Sequence, residues 1–422
     1  MKRYSSKTLL IIALSVLSVS AISQTSQTSP FSAYGIGDLY NNGFGRNFAM
    51  GGTGIGIRTN QYLNSVNPAS YTAMDSLSFF FEAGIKAKFQ TIVLDNSTYH
   101  SKIDIDYFAF GFPICKFIFT SIGLRPAAIT NYHFREITDA ATTNYIGKGN
   151  MSNLYGGLGF KITRSLSLGA HVSYLFGVNK NFYTLQQPNA ERVYGKKIET
   201  EINDVFFEFG AQYIIDLKKD RLIIGGIFSP KKSINGKNSW IFGEGVDFDD
   251  DGFVIVSHEI NYKSNSKDAE MPLGFGIGLS YIVDGKVTFA ADYASKRWGD
   301  VSLFIDDTSD FYQTANANYY SAGMEWVPNE LTGINYFERV RYRLGLHYAD
   351  DYIKNNNGKQ VKDYGLCFGM GFPLRRTFTS INFSVDIGTK RLFDKSVSNE
   401  NYGKVTVSFS MHEYWFMKNK IR

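Results

Sequence analysis

Residues 165–176 read SLSLGAHVSYLF. Leu166, Leu168, Ala170, Val172, Tyr174 and Phe176 alternate with Ser165, Ser167, Gly169, His171 and Ser173, and period two is the spacing of side chains on opposite faces of a β-strand. The two faces therefore meet different surroundings. Leu273, Phe275, Ile277, Leu279 and Tyr281 repeat the pattern against Gly274, Gly276, Gly278 and Ser280, as do Ile381, Phe383, Val385 and Ile387 against Asn382, Ser384 and Asp386. A soluble sandwich alternates too, so length and connections must decide.

Fourteen segments qualify as strands: 77–92, 103–113, 116–126, 151–162, 165–177, 202–216, 220–229, 271–283, 286–298, 317–328, 338–349, 361–373, 377–390 and 402–416. Many match the ~9–11 residues of a tilted membrane strand better than the ~5–6 usual in soluble sheets. Joins after even-numbered strands are mostly tight, as at Thr163-Arg164 and Asp284-Gly285. Those after odd-numbered strands include the long stretches 127–150, 178–201, 230–270 and 299–316. The join through Pro328, Asn329 and Gly333 is the exception and leaves the count open by one strand pair. Short turns on one rim and long loops on the other mark an outer-membrane barrel with its short turns in the periplasm, and an even count puts both chain ends there. The expected fold is all-β: a transmembrane antiparallel up-and-down β-barrel of about 14 strands over residues 77–416, with a short periplasmic tail at 417–422.

Composition agrees. The chain has 422 residues, among them 35 Phe, 27 Tyr, 40 Gly and only 9 Pro, an aromatic load that excludes a disordered chain. Lys2, Arg3 and Lys7 precede an apolar run from Leu9 to Ile22 that closes at Ala21-Ile22-Ser23, so residues 1–23 read as a secretory signal peptide. Beyond it no stretch reaches the length of a membrane-spanning helix, and a membrane protein without such helices is a closed barrel, because lipid cannot satisfy unpaired backbone groups. The 44 basic residues, less the three of the leader, nearly balance 39 acidic ones; this is no nucleic-acid footprint. Cys115 and Cys367 are too few to staple a fold.

Residues 24–76 have no long alternating run. They carry Gly35-Ile36-Gly37, Arg46, the stretch AMGGTGIG at 49–56 with Gly51, Gly52 and Gly54, and Asn67-Pro68-Ala69-Ser70. Phe31, Tyr34, Phe44, Phe48 and Met50 suit a surface linker poorly, so the segment is expected to be a mobile or packed insert, a plug, inside the barrel.

With these motifs followed by about 14 strands, the chain resembles the FadL-like (long-chain fatty-acid transporter) family of Gram-negative outer-membrane barrels, which includes Bacteroidetes relatives serving the type IX secretion system. The resemblance implies that the N-terminal segment, residues 24–76, is a hatch that closes the barrel from the periplasmic side, and that a kink in the third strand opens the wall laterally toward the membrane. The third strand here has the poorest alternation, with Phe117, Ile118 and Phe119 together and then Gly123 and Pro126. Gly123 to Pro126 is either the site of such an opening or simply where the strand ends, at Arg125.

If Val340, Tyr342, Leu344, Leu346 and Tyr348 face lipid, then Arg339, Arg341, Arg343 and His347 point inward, since an Arg at mid-membrane costs ~2–4 kcal/mol. Glu325 shares the inward face across the hairpin, and Glu82, Lys86, Lys88, Asp104, Asp106, Glu208 and Gln212 also read as luminal. The charges form either a path or docking surface for a ligand carboxylate or, as their mixed signs favour, a salt-bridge network. Phe108, Phe110, Phe112 and Phe206 are candidates for a greasy luminal pocket.

Asp247, Asp249 and Asp251, followed by Gly252, match the first half of a calcium loop, but His258 stands where the closing Glu belongs; the alternative is a solvated acidic turn. The six histidines show no metalloprotease spacing, and His171 with Ser167 or Ser173 reads as luminal filler, so no enzyme is expected. The reading is an outer-membrane barrel that binds or passes small hydrophobic ligands. Its alternative is a non-transporting accessory subunit of an outer-membrane secretion or assembly complex, with lipid and other envelope proteins as partners.

Overall fold

The computed structural model describes residues 29–40, 43–93, 97–188, 193–249, 252–301, 312–329, 335–374, 379–392 and 399–414. Fourteen strands make the wall: β1 (Ser78–Val93), β2 (Ser97–Pro113), β3 (Ile118–Ile137), β4 (Thr142–Lys161), β5 (Leu166–Gln186), β6 (Val193–Leu217), β7 (Asp220–Ser229), β8 (Gly274–Val283), β9 (Val287–Lys296), β10 (Ala317–Trp326), β11 (Arg341–Asn355), β12 (Gln360–Pro373), β13 (Ser380–Leu392) and β14 (Asn399–Tyr414). Each pairs antiparallel with its neighbour in sequence, and β14 returns to β1 with Tyr414 opposite Ser78 and Asn399 opposite Val93, which closes the sheet. All fourteen segments read from the sequence are present, and β10 pairs directly with β11.

Alternation sorts the faces. Along β8, Phe275, Ile277 and Leu279 are exposed while Gly274, Gly276, Gly278 and Ser280 are buried. In β11, Leu344 and Leu346 face out while Arg341, Arg343 and His347 face in. An outward apolar band over a polar interior is the pattern lipid imposes. Among the described residues no helix is long and apolar enough to cross a membrane. Tight turns join the strands on one rim; Asp284 and Gly285, with φ of 49° and 67°, form the type I′ geometry whose twist suits a hairpin.

Three expectations are corrected. The stretches 127–150, 178–201 and 230–270 are mostly strand: β3–β6 have 20, 20, 21 and 25 residues, and a hairpin of Lys232–Asp249 and Gly252–Met271 continues the sheet beside the outer end of β6. Beyond the bilayer both faces meet water, so the alternation fades while backbone pairing persists. Phe108 and Phe110 are 41% exposed and face outward. A bulge in the β1–β2 ladder buries Asp106 and Tyr107 in succession and reverses the phase, so Asp104 and Phe108 share parity but not a face. Arg339 ends a 3₁₀ turn (Tyr336–Arg339) ahead of β11, and Val340 is buried rather than lipid-facing, because the strand begins only at Arg341.

β3 does not end at Arg125. It pairs with β4 throughout, with an irregularity between Pro126 and Ala128, but its ladder with β2 runs only from Pro113↔Phe119 to Phe108↔Leu124. Along the edge of β3 left beyond that point, the N-terminal segment adds its own pairing: Asp38↔Ile129, Leu39↔Ala128, and the amides of Tyr40 and Ser29 donating to the carbonyls of Ala127 and Asn131 at 3.0 and 2.9 Å.

Residues 1–23, expected from the sequence to be a signal peptide, residues 415–422 and Asp251 lie outside the described residues. So do the side chains of Asp247 and Asp249, and with them the calcium loop.

Candidate functional site

Residues 43–76 have little regular structure of their own, namely the short helix Gly45–Ala49 and a 3₁₀ turn Pro68–Ala73, and they bind the inward faces of strands all round the barrel. Backbone amides of Gly54 and Ile55 donate to Asp292 of β9 at 2.6 and 2.8 Å. Ser280 of β8 donates to the Gly56 carbonyl, and Gln212 of β6 to those of Ile55 and Ile57. The Asn67 side chain caps its own turn by accepting from the Ala69 amide and donates to Ile55 and to Ala211 of the wall. Pro68 follows as the first residue of the turn, where its missing N–H costs nothing.

Close approach depends on glycine in the wall. A methyl at Gly225, Gly278, Gly323, Gly345 or Gly369 would collide with residues 49–56, so the inward row of β8 and its counterparts form a smooth seat for a backbone. Gly51 and Gly52 lie at φ of 72° and 89°, where a side chain would be strained, and Gly51 sits against the Leu346 backbone.

The luminal charges fall into three groups. In the first, Glu325 accepts from Arg46 of the segment (Nη2–Oε1 2.6 Å) and from Arg343 of β11 (Nε–Oε2 2.7 Å), and Arg343 also donates to Asn382 at 2.8 Å. The Tyr62 ring lies 5.4–5.7 Å from the guanidinium carbons of Arg46, Arg341 and Arg343, and Arg341 donates to Gln61. Glu82 accepts from Ser410 at 2.7 Å and from the Leu63 amide at 3.3 Å.

In the second group Arg125 of β3 meets Glu208 at 3.5 Å and faces the Tyr155 ring, while His171 bonds the Tyr71 hydroxyl at 2.7 Å. His171 thus spans wall and segment. Ser167 accepts from Thr72 at 2.7 Å.

The third group lines a cavity of about 330 Å³. Its walls hold Lys390 between Asp38 (2.6 Å) and Asp351 (2.5 Å), Lys88 on Glu400 (2.6 Å) and Lys404 on Asp386 (3.1 Å), with His347 and Cys367 beside them. Lys86, which pairs with Asp106 at 2.7 Å, also reaches it. Burial opposes ionisation of Asp38, but Lys390, with Lys88 behind it, outweighs burial and holds the carboxyl below its ordinary range. Two stretches of the segment line this cavity, Ser29, Ser32 and Asp38–Tyr40, and Phe48, Gly51, Gly52 and Ile55. Within residues 29–40, Phe31 and Ile36 join Trp298, Tyr352, Leu392 and other apolar side chains in a buried cluster.

The structure therefore brings together Arg341, Arg343, Glu325 and Glu82, places His347 and Lys86 at the cavity, and leaves Phe108, Phe110 and Arg339 out of the lumen. Sequence reading missed Arg125, Lys390 and Lys404. Lys390 shares the inward parity of Asp386, and Lys404 that of Thr406, so alternation carried the signal.

Fold and lumen together define a class: a fourteen-stranded barrel of the outer-membrane type with a chain segment lodged in its interior. The chain belongs to the BamG family, whose model matches residues 6–422. Its fold is similar to that of the P. putida toluene transporter TodX (TM-score 0.61, 14% identity, covering 90% of this chain and 100% of that one). It is also similar to a Pseudomonas aeruginosa FadL homologue (0.61, 11%, 90% and 100%) and to the Ralstonia pickettii toluene transporter TbuX (0.55, 14%, 88% and 98%). The FadL-type likeness read from the motifs is thus present in the fold. No curated protein matches the chain.

Proposed function

We propose that this protein is a non-enzymatic, non-conducting accessory subunit of an outer-membrane assembly or secretion complex. Residues 24–76 act as its plug, residues 1–23 as the export signal, and both ends of the mature chain lie in the periplasm. The cavity carries this reading: paired charges stand in its walls and two stretches of the N-terminal segment line it. Membership of the BamG family accords with an accessory role. The tall side of the wall, β3–β6 with the Lys232–Met271 hairpin, offers contact surface beyond the bilayer.

The short β2–β3 ladder favours a second reading, passage of small hydrophobic molecules through a lateral opening near Gly123 and Pro126. Purification of tagged protein from native membranes in mild detergent, followed by toluene flux into vesicles holding the purified chain, separates the two. The accessory reading expects another envelope protein in near-equimolar amount and no flux above empty vesicles. A solitary barrel that carries toluene overturns it.

A further inference from the structure

We propose that His347, Cys367 and Asp386 form a zinc site whose fourth position opens onto the luminal cavity. The residues stand on three successive strands, β11, β12 and β13, with Cys367 directly opposite Asp386 in the ladder and His347 opposite Gly365, two residues from Cys367. Their donor atoms converge: His347 Nδ1 to Cys367 Sγ is 3.6 Å, Cys367 Sγ to Asp386 Oδ1 is 3.5 Å, and His347 Nδ1 to Asp386 Oδ1 is 3.9 Å. A tetrahedral ion with Zn–N, Zn–O and Zn–S bonds of roughly 2.0, 2.1 and 2.3 Å sets its donors about 3.3–3.6 Å apart, so small side-chain movements complete the site. One nitrogen, one sulfur and one carboxylate oxygen suit zinc, whereas calcium and magnesium require all-oxygen shells.

The surroundings complete the argument. His347 Nε2 lies 3.1 Å from the Tyr402 hydroxyl and 3.7 Å from Asp363, the outer partners that hold an imidazole with its other nitrogen free for metal. Lys404 occupies Asp386 Oδ2 at 3.1 Å and leaves Oδ1 turned toward the sulfur. Cys367 and His347 are buried and Asp386 nearly so, yet all three line the cavity, which gives a metal its approach and a water its place as fourth ligand. On binding, the Cys367 thiol releases its proton to water as the Zn–S bond forms. The ion would tie three strands together where Gly51 rests on the Leu346 backbone.

The test is titration of the intact, detergent-folded protein with Co²⁺, followed by Zn²⁺. One Co²⁺ per chain should produce a thiolate-to-cobalt charge-transfer band and intense tetrahedral d–d bands, all bleached by Zn²⁺. Cys367→Ser should abolish the charge-transfer band and Cys115→Ser leave it intact, while Asp363→Asn keeps the band and weakens binding about 10- to 100-fold. Should Cys367→Ser fail to fold, zinc-edge absorption of the wild-type protein decides instead, with one sulfur at about 2.3 Å expected. No thiolate band at excess Co²⁺, a band that follows Cys115, or a zinc shell without sulfur overturns the site.

Discussion

Glu325 holds two arginines at once, one from the wall and one from the lumen, and the side chains of all three are buried. Taking out the acid leaves Arg46 and Arg343 facing each other without compensation, and an uncompensated buried charge costs about 3–5 kcal/mol. Glu325→Gln should accordingly lower the urea midpoint of the folded barrel markedly. Asp216→Asn, which breaks the solvent-exposed pair with Arg221, should leave the midpoint unchanged. Parity exposed Glu325, Arg341 and Arg343 in the sequence because charge is expelled from the lipid face. It was silent about Arg46, whose segment has no period, and it misjudged Phe108 and Phe110, because one extra residue at Asp106 reversed the phase.

At the scale of the element, two adjacent glycines of β7 make a matched pair. A methyl on Gly225 strikes the Ile55 carbonyl, whereas one on Gly226 finds its nearest atom 3.9 Å away. Gly225→Ala should unseat residues 49–56 and speed tryptic cleavage at Arg46 and Arg58, while Gly226→Ala changes neither; fragment mass and unboiled gel mobility would show it. On the opposite face of β8, Ile277→Arg should destabilise the barrel by about 2–4 kcal/mol in vesicle-folding titrations, with Ile277 being 64% exposed to lipid. The positions of strands were legible because lipid enforces alternation across the membrane. The outer halves of β3–β6 were not, since water on both faces asks for no pattern. The glycine seat was visible as alternating glycines in β8, but its reason, another stretch of backbone lying against it, is a long-range fact that no local spacing carries.

At the scale of the whole molecule, the N-terminal segment makes two sets of contacts: residues 46–56 meet the wall glycines and Glu325, and residues 38–40 pair along the edge of β3 that β2 leaves unpaired. Removing residues 29–40 should therefore raise amide exchange at Ile129 and Asn131, whose partners are Asp38 and Ser32, without disturbing the β4 side of the strand. The barrel itself was readable from the sequence nearly strand by strand. The charged cavity, on which the proposed non-conducting role rests, emerged only when β11–β14 were set beside Asp38. Conductance of the purified chain in planar bilayers tests this most directly. The native protein should stay closed across the applied voltages, and a folded variant lacking residues 29–76 should carry a steady ohmic current; a native protein that conducts, or a folded deletion variant that stays silent, would contradict the account.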